Sequence, residues 1–528
     1  MTYVPPPHVT QHWHLAKPAA HGKRGMVVAQ ARDAAEAGVA ILEAGGNAAD
    51  AAVATAFALA AVEPWNSGLG GTGFALAHMA GEKRAHMVNF GPMAPAGLDA
   101  SRFKLTGYMK QDLFAWPEVE GDTNIHGPLS FVIPSSVAGY KLLHERWGRM
   151  PLREVLAPSV ALAQRGLSQD WFTTLKIAVS AAVLRKYPES ARIYLPNGLP
   201  PVPPYQGVPP FFRLGRLGET LERLQHAGLQ DFYQGDLAAN LVRDIAELGG
   251  VVTAEDLHSC TAHAAPATEL PWGAHTAQLA GGLTAAGTLA RVRALMQEAP
   301  RSLTPDADWY QHLGRSMKQA YAERLARAGE NEPSSGGTCT THLTVCDAEG
   351  SMVAMTTTLL SSMGSRVVLP SSGVLMNNGV MWFDPRPNQP NSIAPGRRPL
   401  TNMCPVIVRS GETGIPLFGV GASGGRRILA SVAQVLSYVL DFGMTPEEAL
   451  HHPRIDVSDP GYITADRRLG TDIIATLQLE GRTELVDQAV LPINFACPNL
   501  IWQKDGQRIG ISDVYSPWSA AIAESEGT

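Results

Sequence analysis

Ala34 to Ala44 carries Ala, Val, Ile and Leu at positions that suit a helix, with Asp33 as its predicted N-cap and Gly45-Gly46 as its stop. Asn47 then caps a second helix from Ala48 to about Val62, closed by Glu63-Pro64. That segment is apolar on every side, which predicts burial, and its alanines allow close packing on a sheet. The glycines of Ser67 to Gly73 follow this helix and precede a predicted strand, Phe74 to His78. A phosphate loop needs the opposite order, so the glycines read as a tight helix-to-strand turn. Val137 to Gln164 and Asp236 to Leu248 read as helical, and the proline-rich Pro188 to Pro210 as a surface excursion. Gly329 to Thr338 is polar and rich in Gly and Ser, the composition of a linker. It runs straight into Thr340 to Asp347, a β-rich stretch that turns at Ala348-Glu349-Gly350 into a second one, Met352 to Leu359, so the pair predicts a hairpin. Further on, Ile415 to Val420 reads as a strand and Arg426 to Leu440 as a helix.

Composition narrows the class. The 528 residues are 45% hydrophobic and 17% charged, enough apolar content for a large core and too much for a disordered chain. Length alone suggests either several domains or one large unit. The 42 Lys and Arg against 48 Asp and Glu give a net charge of −6 with no basic run, which argues against nucleic acid as a partner. Five scattered cysteines form no CxxC pair, so neither a disulfide scaffold nor a structural zinc site is expected. Cys346 and Cys404 sit in apolar runs and read as core. Met1 to Leu15 has no apolar centre of a signal peptide, and its His8, His12 and His14 read as a frayed terminus able to take metal only adventitiously. The most apolar run, Ala51 to Val62, is too short to span a bilayer. The expectation is a cytoplasmic protein without a membrane partner.

The chemistry concentrates at Thr340. A linker that ends on two threonines at the head of a core strand is the layout of an N-terminal-nucleophile precursor. There a threonine cuts the preceding peptide bond, and its freed α-amine then serves as base for its own hydroxyl. Gly421-Ala422-Ser423-Gly424-Gly425 offers a competing reading, G-x-S-x-G between strand and helix, with Ser423 as an α/β-hydrolase nucleophile. Its triad would have to come from Asp441, Glu447 or Glu448 and from His451 or His452. His342 reads as a structural histidine pointing away from Thr341.

Five blocks in order, Gly45 to Phe74, Thr340 to Leu359, Leu375 to Asn378, Arg397 to Val408 and Gly421 to Ile428, resemble the γ-glutamyltranspeptidase family. The resemblance implies one α+β domain, a four-layer αββα sandwich made as a precursor. It would be cut between Cys339 and Thr340 into chains 1–339 and 340–528 that stay associated. It also implies Thr340 as nucleophile, Thr358 as the threonine that orients it, and Gly424 and Gly425 as donors to the oxyanion, with no metal or cofactor. Near the family's carboxylate-binding positions stand Arg102 and, in place of a serine pair, Thr401-Asn402. Where the family binds an α-ammonium with Asn, Gln and Asp, this chain has Leu360, Gly379 and Trp382, with Asp384 two residues on. Burying an unpaired ammonium there is costly. The expected small-molecule substrate is therefore an amide whose acyl group lacks an α-amine, such as a glutaryl amide or oxamate. Phe383 to Pro395 is shorter than the family's lid-bearing loop, which favours hydrolysis over transfer. A genuine γ-glutamyltransferase or glutathione hydrolase and an inert, uncut relative are the alternatives. Homo-oligomerisation stays open.

Overall fold

The computed structural model describes residues 15–110, 116–299, 302–327, 339–487 and 489–526. His8, His12, His14 and the stretch Gly329 to Thr338 lie outside these residues.

Two seven-stranded, wholly antiparallel sheets face one another. The first runs Ala20–Gly22, Gln507–Ser512, Cys497–Lys504, Pro416–Ser423, Val406–Arg409, His275–Leu279 and Thr268–Trp272. The second runs Ala520–Ala523, Met26–Ala29, Cys339–Cys346, Met352–Leu360, Thr72–His78, His86–Phe90 and His263–Pro266. The Thr340 hairpin lies at the middle of the second sheet and packs on strands Pro416–Ser423 and Cys497–Lys504 of the first. Helices Arg32–Glu43, Ala48–Val62 and Ser136–Trp147 cover the second sheet, and Arg427–Leu440 covers the first, with Ala286–Met296 beside it. The result is the α+β fold of an αββα sandwich.

Glycine allows the sheets to approach. A Cβ on Gly421 would stand 2.3 Å from Cε1 of His342, so the imidazole seats directly on that backbone. His342 is fully buried; its Nδ1 meets Thr356 Oγ1 at 2.8 Å and its Nε2 meets Thr344 Oγ1 at 3.2 Å. Burial lowers its pKa to about 3, so it stays neutral. These contacts are those of the structural histidine expected from sequence.

The helix Ala48–Val62 aligns the hairpin end to end. Asn47 Oδ1 accepts from Ala49 N and Asp50 N, while Asp50 returns a bond to Asn47 N, a reciprocal capping box. Asp347, at the turn of the hairpin, accepts from Ala48 N at 3.0 Å and adds its negative charge to the helix N-terminus. The opposite end of the helix reaches Glu63, about 22 Å away at 1.5 Å per residue.

Local expectations fail in three places. The first helix begins at Arg32 with Ala31 as N-cap, so Asp33 lies in its first turn, where its charge suits the helix N-terminus, and pairs with Arg165 of a neighbouring helix. The run Val137 to Gln164 splits into Ser136–Trp147 and Leu152–Arg165 around Gly148 to Pro151. The proline-rich excursion opens with a helix, Pro188–Tyr194, whose Tyr194 is buried; Leu199, Val202 and Val208 after it are exposed, and Tyr205 lies wholly in solvent. Cys346 and Cys404 are core residues, and no helix among the described residues is long and apolar enough to cross a membrane.

Candidate active site

Thr340 opens the central strand and is 1% exposed. The ladder pairs Cys339 with Leu360 and Thr341 with Thr357, so Thr358 and Leu359 of the adjoining strand together face the single residue Thr340, a β-bulge directly opposite it. Leu360, opposite Cys339, is held at φ 89°, a conformation that asparagine tolerates far better than leucine. The Cys339–Thr340 peptide thus lies at an irregular point in an otherwise regular hairpin. Thr358, on the adjoining strand, accepts from Leu360 N at 2.8 Å.

A cavity of about 210 Å³ opens at Thr340, lined also by Gln30, Glu63, Lys176, Ser423 and Gly424. Four separate segments meet behind it. Thr341 Oγ1 donates towards Glu63 Oε2 at 2.6 Å and lies 2.9 Å from Gln30 Oε1. Asn66 Nδ2 donates to Glu63 Oε1 at 2.8 Å, and Gln30 Nε2 donates to Ser423 Oγ. Glu63 is 2% exposed, and burial outweighs these hydrogen bonds and the Lys176 charge, raising its pKa to about 7. Sequence reasoning missed Gln30, Glu63 and Lys176. A carboxylate closing an apolar helix just before a proline was the available signal for Glu63.

Gly424 and Gly425 sit between strand Pro416–Ser423 and helix Arg427–Leu440 at φ 139° and 72°. A Cβ on Gly424 would fall 2.5 Å from Ala496 Cα, so glycine is required by space as well as by conformation. Tyr321 Oη donates to Arg426 O at 2.5 Å and Arg427 donates to Ile493 O, which pins the turn from both sides. A turn held in this way at a helix N-terminus suits a developing negative charge.

The residues expected to bind substrate are dispersed. Arg102 is exposed on the short turn Ala100–Arg102 and is not among the residues lining the Thr340 cavity. Thr401 is buried and donates to Leu283 O. Asn402 is buried and accepts from Arg324. Leu360 and Trp382 come together in one buried apolar cluster with Met381 and Met403. Asp384 does not compensate for Trp382, because its carboxylate is engaged by Arg386 Nε and Nη2 and by Arg386 N.

The Ser423 hydrolase reading is overturned. His451 Nε2 meets Lys17 N and its Nδ1 meets Glu447 O, while His452 packs on the Tyr438 ring, so neither histidine is partnered with Ser423. Ser423 also ends a strand of a wholly antiparallel sheet, whereas a nucleophile elbow is built on a parallel one.

Facing antiparallel sheets between helical layers, with a threonine at the head of a central strand, define the N-terminal-nucleophile hydrolase architecture. The Gamma-glutamyltranspeptidase family profile matches residues 34–336 and 326–521, and the chain belongs to that family. The chain is 29% identical to the Acylase ACY 1 proenzyme of Pseudomonas sp. (strain V22), over 96% of this chain and 97% of that protein. It is 27% identical to the Glutathione hydrolase proenzyme of Bacillus subtilis (strain 168), over 86% and 84%. Cephalosporin acylase from Bacillus halodurans superposes over 100% of both chains with a TM-score of 0.86 at 22% identity, a likeness of fold. Family and relatives make the chain an enzyme of amide C–N bonds.

Proposed function

We propose that the chain is a self-processing amidohydrolase that cuts itself between Cys339 and Thr340. Residues 1–339 and 340–528 remain together as large and small chains. Its substrate is an amide whose acyl group carries a far carboxylate and no α-amine. The observation that carries the substrate reading is the burial of Leu360 and Trp382 in one apolar cluster, with Asp384 already engaged by Arg386. An ammonium brought there would lose its hydration without gaining a partner. The bulge opposite Thr340 and the cavity that Thr340 shares with Gly424 support the nucleophile assignment.

In the reaction, Thr340 Oγ attacks the amide carbonyl and its proton passes to the Thr340 α-amine. The oxyanion is held by the backbone N–H groups of Gly424 and Gly425. The C–N bond breaks as the α-amine protonates the leaving amine, leaving an acyl ester on Thr340. Water, deprotonated by the same amine, hydrolyses that ester and releases the acid. Thr358 orients the hydroxyl, and the Glu63 and Gln30 bonds to Thr341 hold the strand behind it.

Intact mass with N-terminal sequencing tests processing: the smaller fragment should begin Thr340-Thr341-His342, and Thr340→Ala should stay uncut. Matched p-nitroanilides test the acyl group. Glutaryl-p-nitroanilide should exceed γ-glutamyl-p-nitroanilide in kcat/KM, and robust γ-glutamyl turnover at micromolar KM would overturn the reading.

A further inference from the structure

A second cavity, of about 330 Å³, is lined by Lys318, Tyr321, Arg324, Asn402, Arg426 and Ser458, among others. Among the described residues, three cations border it and no carboxylate does. It adjoins an intermediate cavity that in turn adjoins the Thr340 cavity: Arg426 and Ser458 line the second and the intermediate cavities, and Ile493 lines the intermediate and the Thr340 cavities. The intermediate stretch is of mixed charge, with Arg427 opposed by Asp456 and Asp459.

Arg324 is the informative residue. It is 3% exposed, and among the described residues its guanidinium meets only neutral acceptors: Nη2 donates to Thr401 O at 3.0 Å and Asn402 Oδ1 at 2.7 Å, and Nη1 to Thr288 Oγ1 at 3.3 Å. Among the described residues its Nε has no partner, and neither does the Nδ2 of Asn402, which is fully buried. Burial and the Arg426 charge both disfavour the protonated guanidinium. A buried cation without a counter-ion is costly, and two unpartnered donors beside it add to that cost. A carboxylate in this cavity relieves all three penalties at once, and a guanidinium matches its two oxygens better than any other side chain does. The volume is at the small end of ligand pockets, suited to the terminus of a short chain.

We propose that this cavity is the carboxylate-recognition site of the substrate, with Arg324 and Asn402 as its donors and Arg426 at its mouth. The inference rests on the amidohydrolase reading above for its place in catalysis, and it moves the recognising cation from Arg102 to Arg324. The carboxylate comes either from the far end of the acyl group or from the leaving amine.

The test uses the processed full-length enzyme with three amides: glutaryl-p-nitroanilide, valeryl-p-nitroanilide and the valeryl amide of 4-aminobenzoate. In Arg324→Gln and Asn402→Ala, the glutaryl-to-valeryl ratio of kcat/KM should fall by about tenfold or more if the acyl end is read. A fall confined to the 4-aminobenzoate amide relative to valeryl-p-nitroanilide assigns the carboxylate to the leaving amine. Ratios unchanged in both variants overturn the proposal. Should Arg324→Gln fail to fold, Asn402→Ala carries the same comparison. Calorimetric titration with glutarate, and with glutaramide as its neutral counterpart, separates this inference from the function. Glutarate binding that weakens in Asn402→Ala supports the site even if no amide is turned over. Turnover without glutarate binding overturns the site alone.

Discussion

Replacing Glu63 by glutamine tests the electrostatics of the cavity floor directly. The carboxyl is 2% exposed; Thr341 and Asn66 donate to it, and Lys176 lies within range of its charge. Its pKa rises from 4.5 to about 7 because burial penalises the charged form more than these partners favour it. A folded-state pKa above the unfolded one means that the proton stabilises the fold. That contribution is complete below pH 4.5 and is lost as pH rises through about 7. The interval corresponds to about 3 kcal/mol. A glutamine at this position does not titrate, so Glu63→Gln should leave stability nearly unchanged at pH 4.5 and raise it relative to wild type by up to ~3 kcal/mol above pH 8. At ~2.1 cal/mol/K per residue, that is roughly 3 °C in Tm for a chain of this length. Calorimetric scans across pH, with both proteins carrying Thr340→Ala to equalise chain continuity, measure the difference. A gap independent of pH, or one that widens toward acid, refutes the reasoning.

Three further outcomes follow from individual contacts. Gly421→Ala drives a methyl into the His342 ring and should destabilise by ~1–3 kcal/mol or more, read by denaturant unfolding, with coupling to His342→Ala in a double-mutant cycle. Arg454 and Asp513 pair at 2.6 Å with 3% and 1% of their side chains exposed; Arg454→Met strands a buried carboxylate and should cost ~3–5 kcal/mol, whereas Arg454→Met with Asp513→Leu should cost less. Leu360→Asn relaxes the backbone at φ 89° and, joined to Trp382→Asp, should raise γ-glutamyl-p-nitroanilide turnover relative to the glutaryl amide by about tenfold or more, as steady-state kinetics would show.

The elements that sequence alone determined are those whose causes lie within a few residues. Asn47 with Asp50 caps its helix whatever surrounds it, alternation and the Asp347 to Gly350 turn produce the hairpin behind Thr340, and two glycines at a strand-to-helix junction can only be a turn. Family-like blocks added the layer order and the family itself. Tertiary structure decided what lies across long separations. Thr341 meets Glu63 and Gln30 from 278 and 311 residues away, Arg324 reaches Asn402 over 78, and Asp33 pairs with Arg165 over 132. Periodicity and capping are properties of neighbouring residues, so they can be read along the chain. Which polar groups share one buried pocket depends on sheet register and on how the layers close. That closure raises the pKa of Glu63 and brings three neutral acceptors to the Arg324 guanidinium.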